Sequence, residues 1–167
     1  MTPKEFNKAY LDDALECEKT TGINHIATLT QAALESGWGK YAPGNMFFGI
    51  KDTDGINGNE QLITTTEYIR SSKNPMPIYV STTPIVRNGV KMFKHVGKDY
   101  FRKYSSPADS FKDHSKFFFQ NKRYAKALEV RSDYNLWFEE LQKAGYATDP
   151  NYAKTLKAVA KTIIKNL

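Results

Sequence analysis

Glu35 is the residue in this chain best placed to move a proton. It lies within Gln31-Ala32-Ala33-Leu34-Glu35-Ser36-Gly37-Trp38-Gly39, where a helix is followed at once by residues that stop one. Ile23, Ile26, Ala27, Thr30, Ala33 and Leu34 recur at helical spacing before it. Gly37, Gly39, Pro43 and Gly44 break the pattern after it. A carboxylate in a last helical turn gains nothing from the helix dipole, which disfavours negative charge there. If such a site is also dry, the acid form is favoured and the group becomes a proton donor near neutral pH. Other chemistries lack their residues. His25, His95 and His114 are too scattered for a metal set, so no metal and no cofactor is expected. No Ser-His-Asp or Cys-His spacing and no phosphate-binding glycine loop is present.

The elements that must hold Glu35 follow from periodicity and capping. Residues 2–19 form a predicted helix, with Thr2 as cap, Pro3 at the first position, Glu5 completing a capping box and a stripe of Phe6, Tyr10, Ala14 and Cys17. A second helix is predicted over Asn24–Glu35. Met46-Phe47-Phe48 is an apolar loop centre expected to tuck under the end of that helix. Asp52–Asn59 has a calcium-loop look but lacks the closing Glu and flanking helices, so a turn is expected. Gln61–Tyr68, Ile78-Tyr79-Val80 and Ile85-Val86 are strand-like, and Asn88-Gly89 is a hairpin turn. Val90–Lys94 and Asp99–Arg102 are expected to flank a further turn at Gly97. Helices return at Ser106-Pro107, with Phe111, Phe117 and Phe118 inward, and again near Tyr124–Glu129. Tyr134–Ala144 should bury Leu136, Trp137 and Leu141, with Gly145 as cap, and Asp149-Pro150 should open the last helix.

The 167 residues therefore predict one domain: helical over 1–36, loop and β over 37–104, helical over 105–167. The fold class is α+β, mostly helical, with a small antiparallel β-hairpin region lining a substrate cleft. Ten Tyr, ten Phe and two Trp exceed what one small core needs, and flat rings suit sugars. Between Arg87 and Lys126 stand eleven Lys or Arg and three Asp, a local excess that fits a polyanionic partner. One cysteine, Cys17, excludes an intrachain disulfide. No signal peptide and no transmembrane run is visible. A monomer made in the cytoplasm is expected, reaching any target outside it by another component's export route.

In several ordered segments the chain resembles the bacterial glucosaminidase domain family of flagellar-type hydrolases, autolysins and phage lysins. Gln31–Gly39 looks like the family's catalytic helix end. Asn45-Met46-Phe47-Phe48-Gly49-Ile50-Lys51 is similar to its Asn-x-Leu-Phe-Gly-Ile-Lys segment, with Phe47 in the usual Leu place. Thr64-Thr65-Thr66-Glu67-Tyr68 resembles its hairpin motif, and Phe101–Ser106 with Ser110–His114 its return from sheet to helix. Leu141–Ala153, containing Ala144-Gly145-Tyr146-Ala147-Thr148-Asp149-Pro150, resembles its closing motif. The segment Ser81–Asp99 is longer and more basic than the family's usual passage.

The resemblance implies a lysozyme-like fold and an endo-β-N-acetylglucosaminidase that cleaves the β-1,4 bond after N-acetylglucosamine in peptidoglycan. Glu35 then matches the general acid, Glu67 the second carboxylate and Tyr146 the active-site tyrosine, with Tyr152 a competing match. Trp38, Phe48 and Tyr68 are candidate sugar platforms, and anionic wall polymers are candidate partners of the basic 87–126 stretch. A muramidase, or a lytic transglycosylase leaving anhydro ends, is the near alternative. A non-catalytic module binding wall glycan or nucleic acid is the distant one. It is disfavoured because such a module has no need of Glu35 in a dry helix end, so no nucleic-acid partner is expected.

Overall fold

Capping and burial explain the helical elements one by one. The computed structural model describes residues 1–167 and comprises two compact units, Met1–Phe48 with Tyr104–Leu167, and Gly49–Lys103. In the first, α1 spans Pro3–Thr21. Its capping box is complete: Thr2 N–H donates to the Glu5 carboxylate at 2.8 Å and Glu5 N–H to the Thr2 hydroxyl at 3.3 Å. Gly22, at φ 75°, ends it. Next comes α2, His25–Ser36, capped by Asn24, whose side chain accepts from the Ile26 N–H at 2.9 Å. Ile26 through Ala33 are all buried, so α2 is wrapped on every side, with α1, α5 (Tyr134–Lys143) and α6 (Tyr152–Lys165) packed against it. A helix buried all round is the central post of its unit.

The remaining helices are α3, Pro107–Gln120, and a short α4, Ala125–Glu129. Phe111 and Phe118, seven residues and about two turns apart, bury the inner face of α3, whereas Phe117 is exposed. The expected inward set therefore loses Phe117. It also loses Leu136, which is exposed on α5 while Trp137, Phe138 and Leu141 go inside. Phe47 does tuck in, but between α1 and α3, its ring 4.9 Å from Tyr10 and 5.2 Å from Phe111, rather than under the end of α2. The last helix starts at Tyr152, later than Asp149-Pro150 suggested. The Asp149 carboxylate accepts the Asn151 N–H at 2.8 Å and makes a separate turn first. No helix is long and apolar enough to cross a membrane.

The second unit is a three-stranded antiparallel sheet of β1 (Glu60–Ile69), β2 (Ile78–Arg87) and β3 (Val90–Arg102), in the order β1-β3-β2. Asn88 (φ 52°) and Gly89 (φ 75°) form the β2–β3 turn, as their pairing predicts. Two expectations fail here. The runs at 78–80 and 85–86 are one strand, interrupted only by a register shift between Tyr79 and Ser81. And no turn exists at Gly97, which lies inside an unbroken β3.

Gly97 is required by a crossing. To place β3 between β1 and β2, residues 70–77 pass over one sheet face. The Asn74 amide pins them by donating to the carbonyls of Ser81 (3.3 Å) and Val96 (3.1 Å). Buried His95 lies 2.8 Å from the Ser71 carbonyl and 2.9 Å from the Thr82 hydroxyl. Met76 rests on Gly97, where a Cβ would meet its sulfur at 2.6 Å and the Ile78 carbonyl at 2.7 Å. Gly97→Ala is therefore expected to cost about 1–3 kcal/mol through overpacking. Thermal unfolding would register it as a drop of several degrees, and an unchanged midpoint would show that the crossing yields freely.

Candidate active site

The end of α2 is built around one hydroxyl. Buried Ser36 donates to the Ala32 carbonyl at 2.5 Å and accepts from the Gly39 N–H at 2.8 Å. Gly37, Trp38 and Gly39 are all left-handed, at φ 57°, 59° and 77°. The Trp38 N–H bonds back to Ala33 at 2.7 Å, and the Tyr41 N–H to Ser36 at 2.9 Å. Glycine tolerates this geometry, while Trp38 stores strain of about 1–2 kcal/mol. The indole is half-buried, its ring edge-on to Phe6 at 5.5 Å. The helix thus stops dead one residue after Glu35.

Glu35 itself is exposed, which corrects the expectation of a dry helix end. Its pKa is nonetheless raised, because the protein crowding its carboxyl displaces solvating water. A reachable carboxyl in partly desolvated surroundings combines access to a ligand with retention of a proton. The one hydrogen bond acting against the shift comes from Tyr152, whose hydroxyl donates to Glu35 Oε1 at 3.4 Å.

An aromatic row runs inward from that contact. Tyr152 stacks on Tyr146 with centroids 5.5 Å apart. The Tyr146 hydroxyl lies 2.9 Å from His114 Nε2, and His114 stacks on Phe48 at 3.7 Å and 7°. Burial pushes both phenols upward and holds His114 down at about 3, so the row is uncharged. Of the two competing tyrosines, Tyr152 touches Glu35, and Tyr146 is held by His114. Phe48 has one ring face occupied by His114. The one sequence signal for His114 is its helical spacing between Phe111 and Phe118, which puts a polar ring on the inner face of α3.

In the sheet unit, Glu67 is half-exposed and alternates away from Thr66 and Tyr68, as a strand requires. It lies 3.8 Å from Lys51 Nζ, which pairs with Asp99 at 2.8 Å. Tyr68 points to the opposite face, where the Arg87 guanidinium stacks on it at 4.5 Å. Glu67 and Tyr68 thus serve different faces of β1. No group of three or more His, Cys, Asp or Glu side chains gathers in a metal-holding cluster.

A family model described as mannosyl-glycoprotein endo-beta-N-acetylglucosaminidase matches residues 11–165. The chain belongs to the glucosaminidase family. Its curated relatives include proteins named peptidoglycan hydrolase FlgJ. It is 32% identical to peptidoglycan hydrolase FlgJ of Pseudomonas aeruginosa over 164 residues, covering 94% of this chain and 36% of that protein. With FlgJ of Vibrio cholerae it shares 33% identity, covering 96% and 43% respectively. The chain thus spans about a third to a half of the length of these curated relatives. The C-terminally truncated glycoside hydrolase domain of Salmonella typhimurium FlgJ superposes with a TM-score of 0.70 at 30% identity, covering 98% of each chain. The autolysin Auto catalytic domain of Listeria monocytogenes gives 0.70 at 23% identity, covering 99% and 87%, a likeness of fold. The chain is therefore a glycoside hydrolase domain with the lysozyme-like α+β fold that the motifs implied.

Within this family fold, neutral His114 leaves a thermodynamic signature. Below its ordinary pKa of about 6.5 the unfolded chain binds a proton that the folded chain refuses until about pH 3. Stability is therefore full above pH 6.5 and falls as the pH drops toward 3, by about 2 kcal/mol at pH 5 from this group. Urea unfolding at pH 7 and pH 5 should show the loss, and His114→Gln should lose less over the same interval. Equal pH dependence in both proteins would mean that His114 titrates normally in the fold.

Proposed function

We propose that this domain is an endo-β-N-acetylglucosaminidase acting on bacterial peptidoglycan as a monomer, with Glu35 as general acid. The observation that carries the proposal is the state of Glu35, exposed yet with its pKa raised, beside a buried tyrosine hydroxyl. Hydrolysis needs a proton on the departing C4 oxygen of N-acetylmuramic acid as its bond to C1 of N-acetylglucosamine breaks. Water then adds to that C1. Glu67 is our choice for the second carboxylate, activating the water or orienting the sugar while its acetamido group assists. Lys51, itself tied to Asp99, limits the positions open to Glu67. Tyr146 supplies a hydroxyl for the N-acetyl group or the water, Tyr152 supports Glu35, and Trp38 and Phe48 offer ring surface to sugars, whereas Tyr68 lies on the sheet face away from Glu67, under the Arg87 guanidinium.

The products test this reading. Purified peptidoglycan should release fragments with N-acetylglucosamine at the reducing end, read by mass spectrometry after reduction. Glu35→Gln should lower the rate by about 10²–10⁴-fold without unfolding. The acid must be protonated to work, so activity should fall as pH rises through a Glu35 pKa displaced above the ordinary carboxyl range. Muramic reducing ends would indicate a muramidase, and anhydro ends a transglycosylase. Wild-type rates in Glu35→Gln would remove Glu35 from the reaction.

We also assign anionic wall polymer to the sheet face opposite Glu67. The register puts Lys98 beside Thr64 and Lys94 beside Tyr68, with Arg87 on the same side. Lys94, Lys98 and Arg87 are all exposed. Retention on walls bearing teichoic acid should weaken steeply with salt, as the Debye length shrinks to about 3 Å near 1 M. Lys94→Gln with Lys98→Gln should flatten that dependence, and an unchanged salt response would place the contact elsewhere.

A further inference from the structure

Two buried polar side chains behind the candidate site are not used by the chemistry above. Gln31 is 2% exposed in the middle of α2, and Trp137, on α5, is fully buried. The Trp137 indole N–H donates to Gln31 Oε1 at 3.0 Å. The amide nitrogen of Gln31 has no partner in full hydrogen-bond geometry, and Gln31 lies one helical turn before Glu35, on the side where Tyr152 meets that carboxyl. A buried amide N–H₂ without a closer partner carries a desolvation penalty, so its orientation needs a reason.

Donor and acceptor rules supply it. An indole nitrogen can only donate, so the amide group facing Trp137 must be the oxygen. The Gln31 nitrogen is thereby turned toward Tyr152, and an amide nitrogen can only donate as well. Gln31 stands one turn before Glu35 on the same face of α2, so an oxygen of Tyr152 that faces this donor keeps its single proton for Glu35 Oε1, 3.4 Å away.

We propose that Trp137 and Gln31 are positioning residues that fix Tyr152 as a hydrogen-bond donor to Glu35. The inference rests on Glu35 being the acid. While Glu35 is protonated, an oxygen already facing the amide is a poor acceptor, so the acid proton is not drawn into a bond with Tyr152 and stays available to the leaving oxygen. Once Glu35 has released that proton, Tyr152 donates to the carboxylate left behind. A long contact of 3.4 Å suits this sequence, being slack for the acid and free to shorten for the anion. The groups that act on this pair are few. From α6 Tyr152 faces Glu35, from the α5–α6 connection Tyr146 is felt electrostatically, and Tyr124 acts on both tyrosines.

The test is the pH profile of kcat/KM on a soluble, uncross-linked glycan strand. Losing a donor to a carboxylate favours its protonated form, so the alkaline limb should move up. Tyr152→Phe should shift it by on the order of one pH unit. Gln31→Met, which keeps the length and removes both amide functions, should move it in the same direction and lower kcat more than it changes KM. The double variant should go no further than Tyr152→Phe alone. Trp137→Phe, which frees the amide to turn, provides the same readout if Gln31→Met folds poorly. A limb left at the wild-type position by Gln31→Met or Trp137→Phe, but moved by Tyr152→Phe, would overturn the proposal. So would a limb that none of the three moves. Full activity in Glu35→Gln would instead defeat the assignment of the acid, a separate failure with its own variant.

Discussion

The structure depends on one abrupt stop. A central helix buried along eight consecutive residues must end so that the next carboxyl reaches solvent, and it must do so without fraying. Ser36 makes this possible by closing two hydrogen bonds in the space of one turn, to Ala32 within the helix and to Gly39 beyond it. Three successive left-handed residues then reverse the chain. Fraying by a residue or two would carry Glu35 away from Tyr152 and give its carboxyl back to water. The strain in Trp38 is tolerated because the surrounding bonds and the Phe6 contact over-determine its position.

That stop gives the buried polar groups of α2 their meaning. A helix surrounded by apolar neighbours would be more stable with an aliphatic residue at 31, since an amide in a core is costly unless fully paired. Gln31 is only half paired in conventional geometry. The arrangement trades stability for direction: each group in the line from Trp137 to Tyr152 has its polarity set by the one behind it. The neutral row of Tyr146, His114 and Phe48, which runs inward from Tyr152, works in the same sense, because it brings no counter-charge behind Glu35 that would undo its raised pKa.

Much of this was legible in residue order because the signals were local. Thr2 with Glu5, Asn88-Gly89 and the glycines after Glu35 act within a few residues of themselves, and each formed the expected feature. The motifs were enough to place the chain in its family. What sequence could not give was set by distant partners. Gly97 looks like a turn until Met76 is known to cross above it. Phe117 and Leu136 look inward until Phe111, Phe118 and Trp137 fix the helix phases. Tyr152 and Tyr146 stand in one motif with equal claims, and only the packing of α6 on α2 and of His114 on Phe48 separates them. Gln31 did carry a signal, as a polar residue inside an apolar helix, but its partner lies 106 positions away.

The sheet raises the same issue of direction in another form. Adjacent residues of a strand face opposite ways, so a slip of one residue would exchange Glu67 with Tyr68 and the acidic face with the cationic one. A two-residue hairpin turn fixes the pairing of β2 with β3 but says nothing about β1, which joins from the far side of β3. The segment crossing over Gly97 removes that freedom. Met76 fits only where β3 has no side chain, and Asn74 grips carbonyls on β2 and β3 together. With the length from Ile69 to Ile78 limited, those two anchors restrict which residue of β1 can stand opposite His95, and that residue is Glu67. The glycine that sequence assigned to a turn is thus part of what keeps a half-exposed carboxylate on its own side of the sheet.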